Sequence, residues 1–146
     1  EKIRDRIEKE GVSNLFLKGY IENSKVPYVL SKSSLNILNY SKNDYNWSRG
    51  NSSNKLFEYF ASGKPVLSTV KMGYDLLEKY RCGVSDEIGT PESISEKILG
   101  ILNLSKEEYQ KMCDNAKKAA EDFDIKNLAR EYLGVIEKTI DRHYRR

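Results

Sequence analysis

A short polar run from Asn51 to Asn54 stands directly before an apolar helical pattern and could present a helix N-terminus to an anion. Ser52, Ser53 and Asn54 are residue types that accept hydrogen bonds from the first free N–H groups of a helix. Those N–H groups, together with about half a positive charge from the helix dipole, suit a phosphate group. The alternative is that these polar residues only cap the helix, since caps are much more common than phosphate sites.

The elements that would position this N-terminus follow at once in the sequence. Apolar residues repeat at helical spacing on one face of the predicted helix, at Leu56, Phe57, Phe60 and Ala61. Gly63 and Pro65 then end the helix, and residues 66–70 predict a buried strand. The pattern therefore predicts a polar loop, a short helix, a tight turn and a strand.

Strands and helices alternate along most of the chain. Buried strands are predicted near Leu15, Ile37, Leu67 and Val84. Later helices are predicted from Thr90-Pro91, from the capping box of Ser105 and Glu108, and from Asp124 to about Ile140. This alternation predicts an α/β fold, a Rossmann-like parallel sheet with helices on both faces, whose ligands bind beyond the carboxyl ends of the strands.

Length and composition fit one globular domain. The chain has 146 residues, of which 38% are hydrophobic and 32% are charged. It contains 25 basic and 22 acidic residues. This dispersed charge of +3 gives no indication of a nucleic-acid partner. Two isolated cysteines and the lack of a long apolar run or signal peptide favour a cytoplasmic location. The single histidine and the scattered acidic residues predict neither a metal site nor a catalytic triad.

Residues 53–66 resemble the donor-binding half of a family 4 glycosyltransferase with the GT-B fold. In that family a Ser-Pro-Asn-Lys-Leu-Phe-Glu-Tyr-Met-Ala-type segment leads into Gly-Lys-Pro-Val, and this chain matches it almost throughout. The resemblance extends over essentially the whole chain. It implies a retaining enzyme that uses a nucleoside-diphosphate sugar as substrate, without a metal or other cofactor. The acceptor, a glycan or a lipid-linked molecule, would bind a separate N-terminal domain, and the parent protein could associate peripherally with a membrane.

The same resemblance implies a role for each donor-binding residue. Backbone groups of Tyr20 and Ile21 would hold the nucleobase, and the Glu58 carboxylate would accept hydrogen bonds from the ribose hydroxyls. The start of the phosphate-binding helix, mostly through its N–H groups, would be formed by Ser53, Asn54, Lys55 and Leu56. The alternatives are that Tyr20 is a packing aromatic and that Glu58 and Lys55 are solvated.

One position departs from the family pattern of two glutamates separated by seven residues. Counting back from Glu58 gives Gly50, which has no side chain to contact the donor sugar. Asp44 or Asn46 could replace the missing acid only if the loop folds inward, so no catalytic residue is assigned. The Arg and Lys with which the family neutralises the diphosphate belong to loops that precede the first residue of this chain.

The domain organisation implied is a single partial donor-binding domain, residues 1–146, without the first strands of its sheet and without the N-terminal acceptor domain. In GT-B proteins the last helix, here residues 124–140, crosses back to that domain, so part of its apolar face is expected to be exposed or covered by another molecule. Two other functions remain open. One is a non-catalytic flavodoxin-like nucleotide or protein interaction module, and the other is a degenerate glycosyltransferase relative without activity.

Overall fold

The structure, a computed structural model, describes residues 2–40 and 53–144. Most of the predicted polar loop, residues 41–52, lies outside the described residues. The expectations placed on Asp44, Asn46 and Gly50, and the capping role of Ser52, therefore concern residues that are not described.

Three short parallel strands form an open sheet in the order β1-β2-β3. They are β1 (Asn36–Leu38), β2 (Val66–Ser68) and β3 (Gly83–Ser85). Every residue of the central strand β2 is buried. The register pairs Val66 with Asn36 on one side and with Gly83 on the other. The prediction of an α/β fold with a parallel sheet is confirmed at this level of detail.

Seven α-helices surround or extend from this sheet in the described part of the chain. They are α1 (Lys2–Lys9), α2 (Val26–Ser31), α3 (Asn54–Ala61), α4 (Leu76–Tyr80), α5 (Pro91–Leu102), α6 (Lys106–Asp122) and α7 (Ile125–Tyr144). A single 3₁₀ turn, Asn23–Lys25, leads into α2. The predicted starts of α5 and α6 are confirmed, because Thr90 accepts a hydrogen bond from Ser93 N–H and Ser105 forms a capping box with Glu108.

The strand predicted near Leu15 is not present, and this correction has a physical cause. Leu15, Phe16 and Leu17 are 50%, 68% and 48% exposed and belong to no strand. A strand exists only through hydrogen bonds to a neighbour, and the described strands pair only with one another.

The core lies where α3, α4 and α6 pack on one face of the sheet. Its buried members are Leu38, Leu56, Phe60, Val66, Leu76, Leu77, Cys82, Ala116 and Ala119. Phe57 extends this cluster, because its ring centroid lies 4.9 Å from that of Phe123 at the end of α6. The helical spacing of Ile94, Ile98, Ile101 and Leu102 predicts a buried apolar stripe on α5. This prediction is only partly correct, because Ile101 is buried whereas Leu102 is 53% exposed. The packing fixes α3, which carries most of the predicted site.

The thiol of Cys82 is expected to be unreactive in the folded protein. Cys82 is completely buried, and burial raises the pKa of its thiol to about 12. At pH 8 we expect iodoacetamide to label Cys82 only after denaturant is added, as measured by peptide mass spectrometry. Rapid labelling of the folded chain would contradict the buried position of this side chain.

The same shift predicts how stability depends on pH. The pKa of the thiol is near 9 in the unfolded chain and about 12 in the folded chain. The contribution of the neutral Cys82 thiol to the free energy of unfolding is therefore fully present below pH 9 and is lost as pH rises towards 12. At pH 10 the loss is about 1 kcal/mol relative to pH 7. Urea unfolding of Cys82→Ala at both pH values isolates this contribution, because the variant should lack that part of the pH dependence.

Candidate functional site

The start of α3 lies at the carboxyl-end edge of the sheet. Because α3 connects the parallel neighbours β1 and β2, it runs antiparallel to them and begins beyond the carboxyl end of β1. Ser53 occupies the N-cap position in an extended conformation, and Asn54 is the first helical residue. Within the described part of the chain, the Ser53 side chain accepts no hydrogen bond from the helix N–H groups. The Ser53 hydroxyl therefore does not cap the first N–H groups of α3.

The residues expected to form the start of α3 differ in their exposure to solvent. Asn54 and Lys55 are exposed, whereas the side chain of Leu56 is 3% exposed and belongs to the core. The Leu56 N–H donates to the carbonyl oxygen of Ser53 over 3.0 Å. Leu56 thus anchors the helix, and the exposed residues Asn54 and Lys55 are the part of the helix start that can contact a ligand.

Glu58 lies on the second turn of α3 and lines a cleft between α3 and α2. The cleft has a volume of about 360 Å³. Its other lining residues are Asn23, Val26, Pro27, Leu30, Ser31, Ala61 and Ser62. The cleft places a carboxylate and an amide side chain beside an apolar wall, and its volume lies within the range of small-molecule sites.

The predicted base-binding turn lies next to this cleft in the chain but does not line it. Tyr20 is 87% exposed, Ile21 is partly buried, and neither is among the described lining residues. Asn23, which does line the cleft, comes two residues after Ile21. The structure therefore brings Glu58 opposite the start of α2, while the Tyr20 ring extends into solvent.

A larger cavity of about 720 Å³ lies at the carboxyl ends of β2 and β3. It is lined by Val70, Lys71, Met72, Gly73, Asp75, Glu78 and Glu87. Lys71 Nζ lies 2.7 Å from Glu87 Oε1, and this contact raises the pKa of Lys71 and lowers that of Glu87. Three carboxylates against one lysine make this cavity a poorer phosphate site than the start of α3, although carboxylates can accept hydrogen bonds from sugar hydroxyls.

Side chains at the carboxyl ends of the strands hold the adjoining loops in place. Thr69 Oγ1 accepts a hydrogen bond from Tyr40 N–H over 2.9 Å, so the segments that leave β1 and β2 are joined. Asp86, which is completely buried after β3, accepts hydrogen bonds from the Ser93 hydroxyl and the Gly89 N–H. These contacts fix the turn that leads into α5.

Sequence reasoning missed both the α2 wall of the cleft and the role of Asp86. The wall was missed because Val26, Pro27 and Leu30 form an ordinary apolar helix pattern, which does not indicate a binding site. Pro27 in the first turn indicates only where the helix starts. For Asp86 the available signal was an aspartate directly after a strand and three residues before a glycine, a pattern typical of turns.

Among residues 2–40 and 53–144, no group of three or more His, Cys, Asp or Glu side chains is arranged to hold a metal ion. Over the same ranges, no helix combines the length and the apolar character needed to cross a membrane. No family model matches the chain, and no curated protein matches it.

Proposed function

We propose that this chain is the donor-binding part of a retaining glycosyltransferase that uses a nucleoside-diphosphate sugar. The observation that carries the proposal is the cleft between α2 and α3, where Glu58 lies beside an apolar wall. A nucleoside needs both features, because its base has apolar faces and its ribose has two neighbouring hydroxyls. The two oxygens of the Glu58 carboxylate can accept one hydrogen bond from each hydroxyl.

The start of α3 supplies the contacts for the diphosphate. Asn54 lies four residues before Glu58, which is about 6 Å along the helix axis, a separation that one nucleotide can span. The backbone of Asn54 and Lys55 would bind phosphate oxygens, with the dipole of α3 and the exposed Lys55 ammonium adding positive charge. Positive charge and N–H groups at this point also stabilise the diphosphate as it leaves the sugar.

On this proposal the three strands are the last three of a larger Rossmann-like sheet of the GT-B type, with helices on both faces. The nucleobase would lie near Tyr20 and Ile21, where the chain enters α2. A glycan or lipid-linked acceptor would bind another domain of a cytoplasmic parent enzyme. No residue of this chain is assigned to the bond-breaking step.

The test is a titration of the domain with UDP, GDP and ADP, in which binding is measured by the chemical shifts of the backbone amides. We expect one diphosphate to be preferred and the shifts to cluster at residues 20–26 and 53–58. Glu58→Gln removes the charge but keeps the shape, and should weaken binding of that diphosphate about tenfold, since a hydrogen bond to a charged group contributes about 1.5–3 kcal/mol.

Two controls make this result specific. Glu107→Gln changes an exposed glutamate of α6 outside the cleft and should leave the affinity unchanged. Inorganic pyrophosphate lacks a ribose and should bind the parent chain and Glu58→Gln equally. The proposal fails if all three diphosphates leave the cleft residues unshifted at millimolar concentration, or if Glu58→Gln binds its preferred diphosphate as tightly as the parent.

A further inference from the structure

The cleft between α2 and α3 is lined, in the described part of the chain, by four polar side chains: Asn23, Ser31, Glu58 and Ser62. Two of them already donate hydrogen bonds to the backbone. The Ser31 hydroxyl donates to the carbonyl oxygen of Tyr28 over 2.7 Å, and the Ser62 hydroxyl donates to that of Tyr59 over 2.6 Å. Both serines therefore use their only hydroxyl proton within the helix that carries them, and neither has it available for a ligand.

The side chains of Asn23 and Glu58 are not engaged in this way. Among residues 2–40 and 53–144, neither the Asn23 amide nor the Glu58 carboxylate makes a hydrogen bond or an ion pair. Asn23 lies on the 3₁₀ turn that leads into α2, whereas Glu58 lies on α3, so the two groups reach the cleft from different elements. The cleft thus offers one amide and one carboxylate to a ligand, beside the apolar wall formed by Val26, Pro27 and Leu30.

We propose that the side-chain amide of Asn23 binds the edge of the nucleobase, while a face of the base packs on Val26 and Pro27. This inference rests on the proposed function and adds a side chain that recognises the base to the backbone groups of Tyr20 and Ile21. The amide of asparagine has a donor and an acceptor side by side. Uracil, adenine and guanine each have an edge with a donor next to an acceptor, so two hydrogen bonds can form together.

The size and position of the cleft agree with a base and its ribose as the part of the nucleotide that enters it. The volume of about 360 Å³ is near the lower end of the range for small-molecule sites. Asn54 and Lys55, which would bind the diphosphate, are not among the described residues that line the cleft. The exposed ring of Tyr20 is not among them either. The base therefore contacts Asn23 rather than the Tyr20 ring.

The test compares the affinities of UDP, GDP and ADP for the parent chain, Asn23→Ala and Asn23→Asp, measured by the chemical shifts of the backbone amides. Asn23→Ala should weaken binding of the preferred diphosphate about tenfold, because two hydrogen bonds to the base are lost. Asn23→Asp replaces the donor and acceptor with two acceptors. It should raise the affinity for GDP relative to UDP and ADP about tenfold. Guanine has two adjacent donors, N1–H and the 2-amino group, whereas uracil and adenine place an acceptor against the carboxylate.

Three controls separate the base from the rest of the nucleotide. Ribose 5-phosphate has no base, so it should bind the parent chain and Asn23→Ala equally but Glu58→Gln more weakly. Asn103→Ala changes an exposed asparagine at the end of α5 and should leave the affinity for all three diphosphates unchanged. Circular dichroism shows whether each variant is folded.

The outcomes distinguish this inference from the proposed function. If Asn23→Ala and Asn23→Asp bind the three diphosphates as the parent chain does, while Glu58→Gln binds more weakly, the inference is overturned and the proposed function stands. If Asn23→Ala weakens ribose 5-phosphate as much as it weakens the preferred diphosphate, the amide does not bind the base, and the inference is again overturned. If no diphosphate binds the folded parent chain at millimolar concentration, both are overturned.

Discussion

Replacing Gly83 with alanine is expected to destabilise the domain by about 3 kcal/mol or more, which approaches the whole stability of a small domain. A Cβ atom at this position would lie 2.0 Å from the carbonyl oxygen of Val66 and 2.9 Å from its carbonyl carbon. Both are backbone atoms of the central strand, so no side-chain rotation can relieve the contact. The strands β2 and β3 would have to separate, with loss of the pairing of Val66 with Gly83 and of Leu67 with Val84.

Urea unfolding followed by circular dichroism measures this effect, and Gly100→Ala is the matched control. A Cβ atom at Gly100 would meet nothing within 4 Å, and the residue lies inside the helix α5. Alanine there should stabilise the domain by about 0.5–1 kcal/mol, because it reduces the backbone freedom of the unfolded chain. Equal unfolding midpoints for Gly83→Ala and the parent would show that β3 does not pair with β2 in this register.

Replacing Phe60 with alanine should cost about 3–5 kcal/mol. Phe60 is completely buried, and its ring contacts those of Phe57 and Tyr80, both with centroids 6.4 Å away. Alanine would leave a cavity beneath α3 and lose the transfer free energy of the ring. Because α3 also carries Glu58, we expect the proposed nucleotide binding to weaken as well, which a purely local role for Phe60 would not produce.

The unfolding midpoint in urea again gives the magnitude, and Phe16→Ala provides the comparison. Phe16 is 68% exposed, so its removal should change the free energy of unfolding by no more than about 0.5 kcal/mol. Phe60→Leu keeps most of the apolar volume and should give an intermediate loss with a folded domain. If Phe60→Ala and Phe16→Ala have the same midpoint, α3 is not packed on α6 as the structure has it.

Features encoded within a few residues were predictable from the sequence. The caps at Thr90 and Ser105 depend on atoms three residues apart, and the end of α3 depends on Gly63, whose φ of 65° favours glycine. The strand β2 was also predictable, because a central strand is buried on both faces and therefore forms a continuous apolar run.

Features that depend on partners distant in the sequence were not predictable from it. The segment near Leu15 has the composition of a strand, but pairing requires a neighbour that no local pattern specifies. The exposed Leu102 shows the same limit for a helix, since its position on an apolar stripe does not ensure that another element covers it. The cleft beside Glu58 was predictable only on the α3 side, because the opposing wall arises from the packing of two helices separated by 22 residues of sequence.

The short helix α3 serves two purposes on its different faces. Over eight residues it places Leu56 and Phe60 in the core and Glu58 in the cleft. A change in the size of a core side chain can therefore shift the whole helix as a rigid body and move the carboxylate with it. If the cleft binds the proposed nucleotide, ligand preference can consequently evolve through residues that never touch the ligand, and sequences with identical cleft residues need not share a substrate.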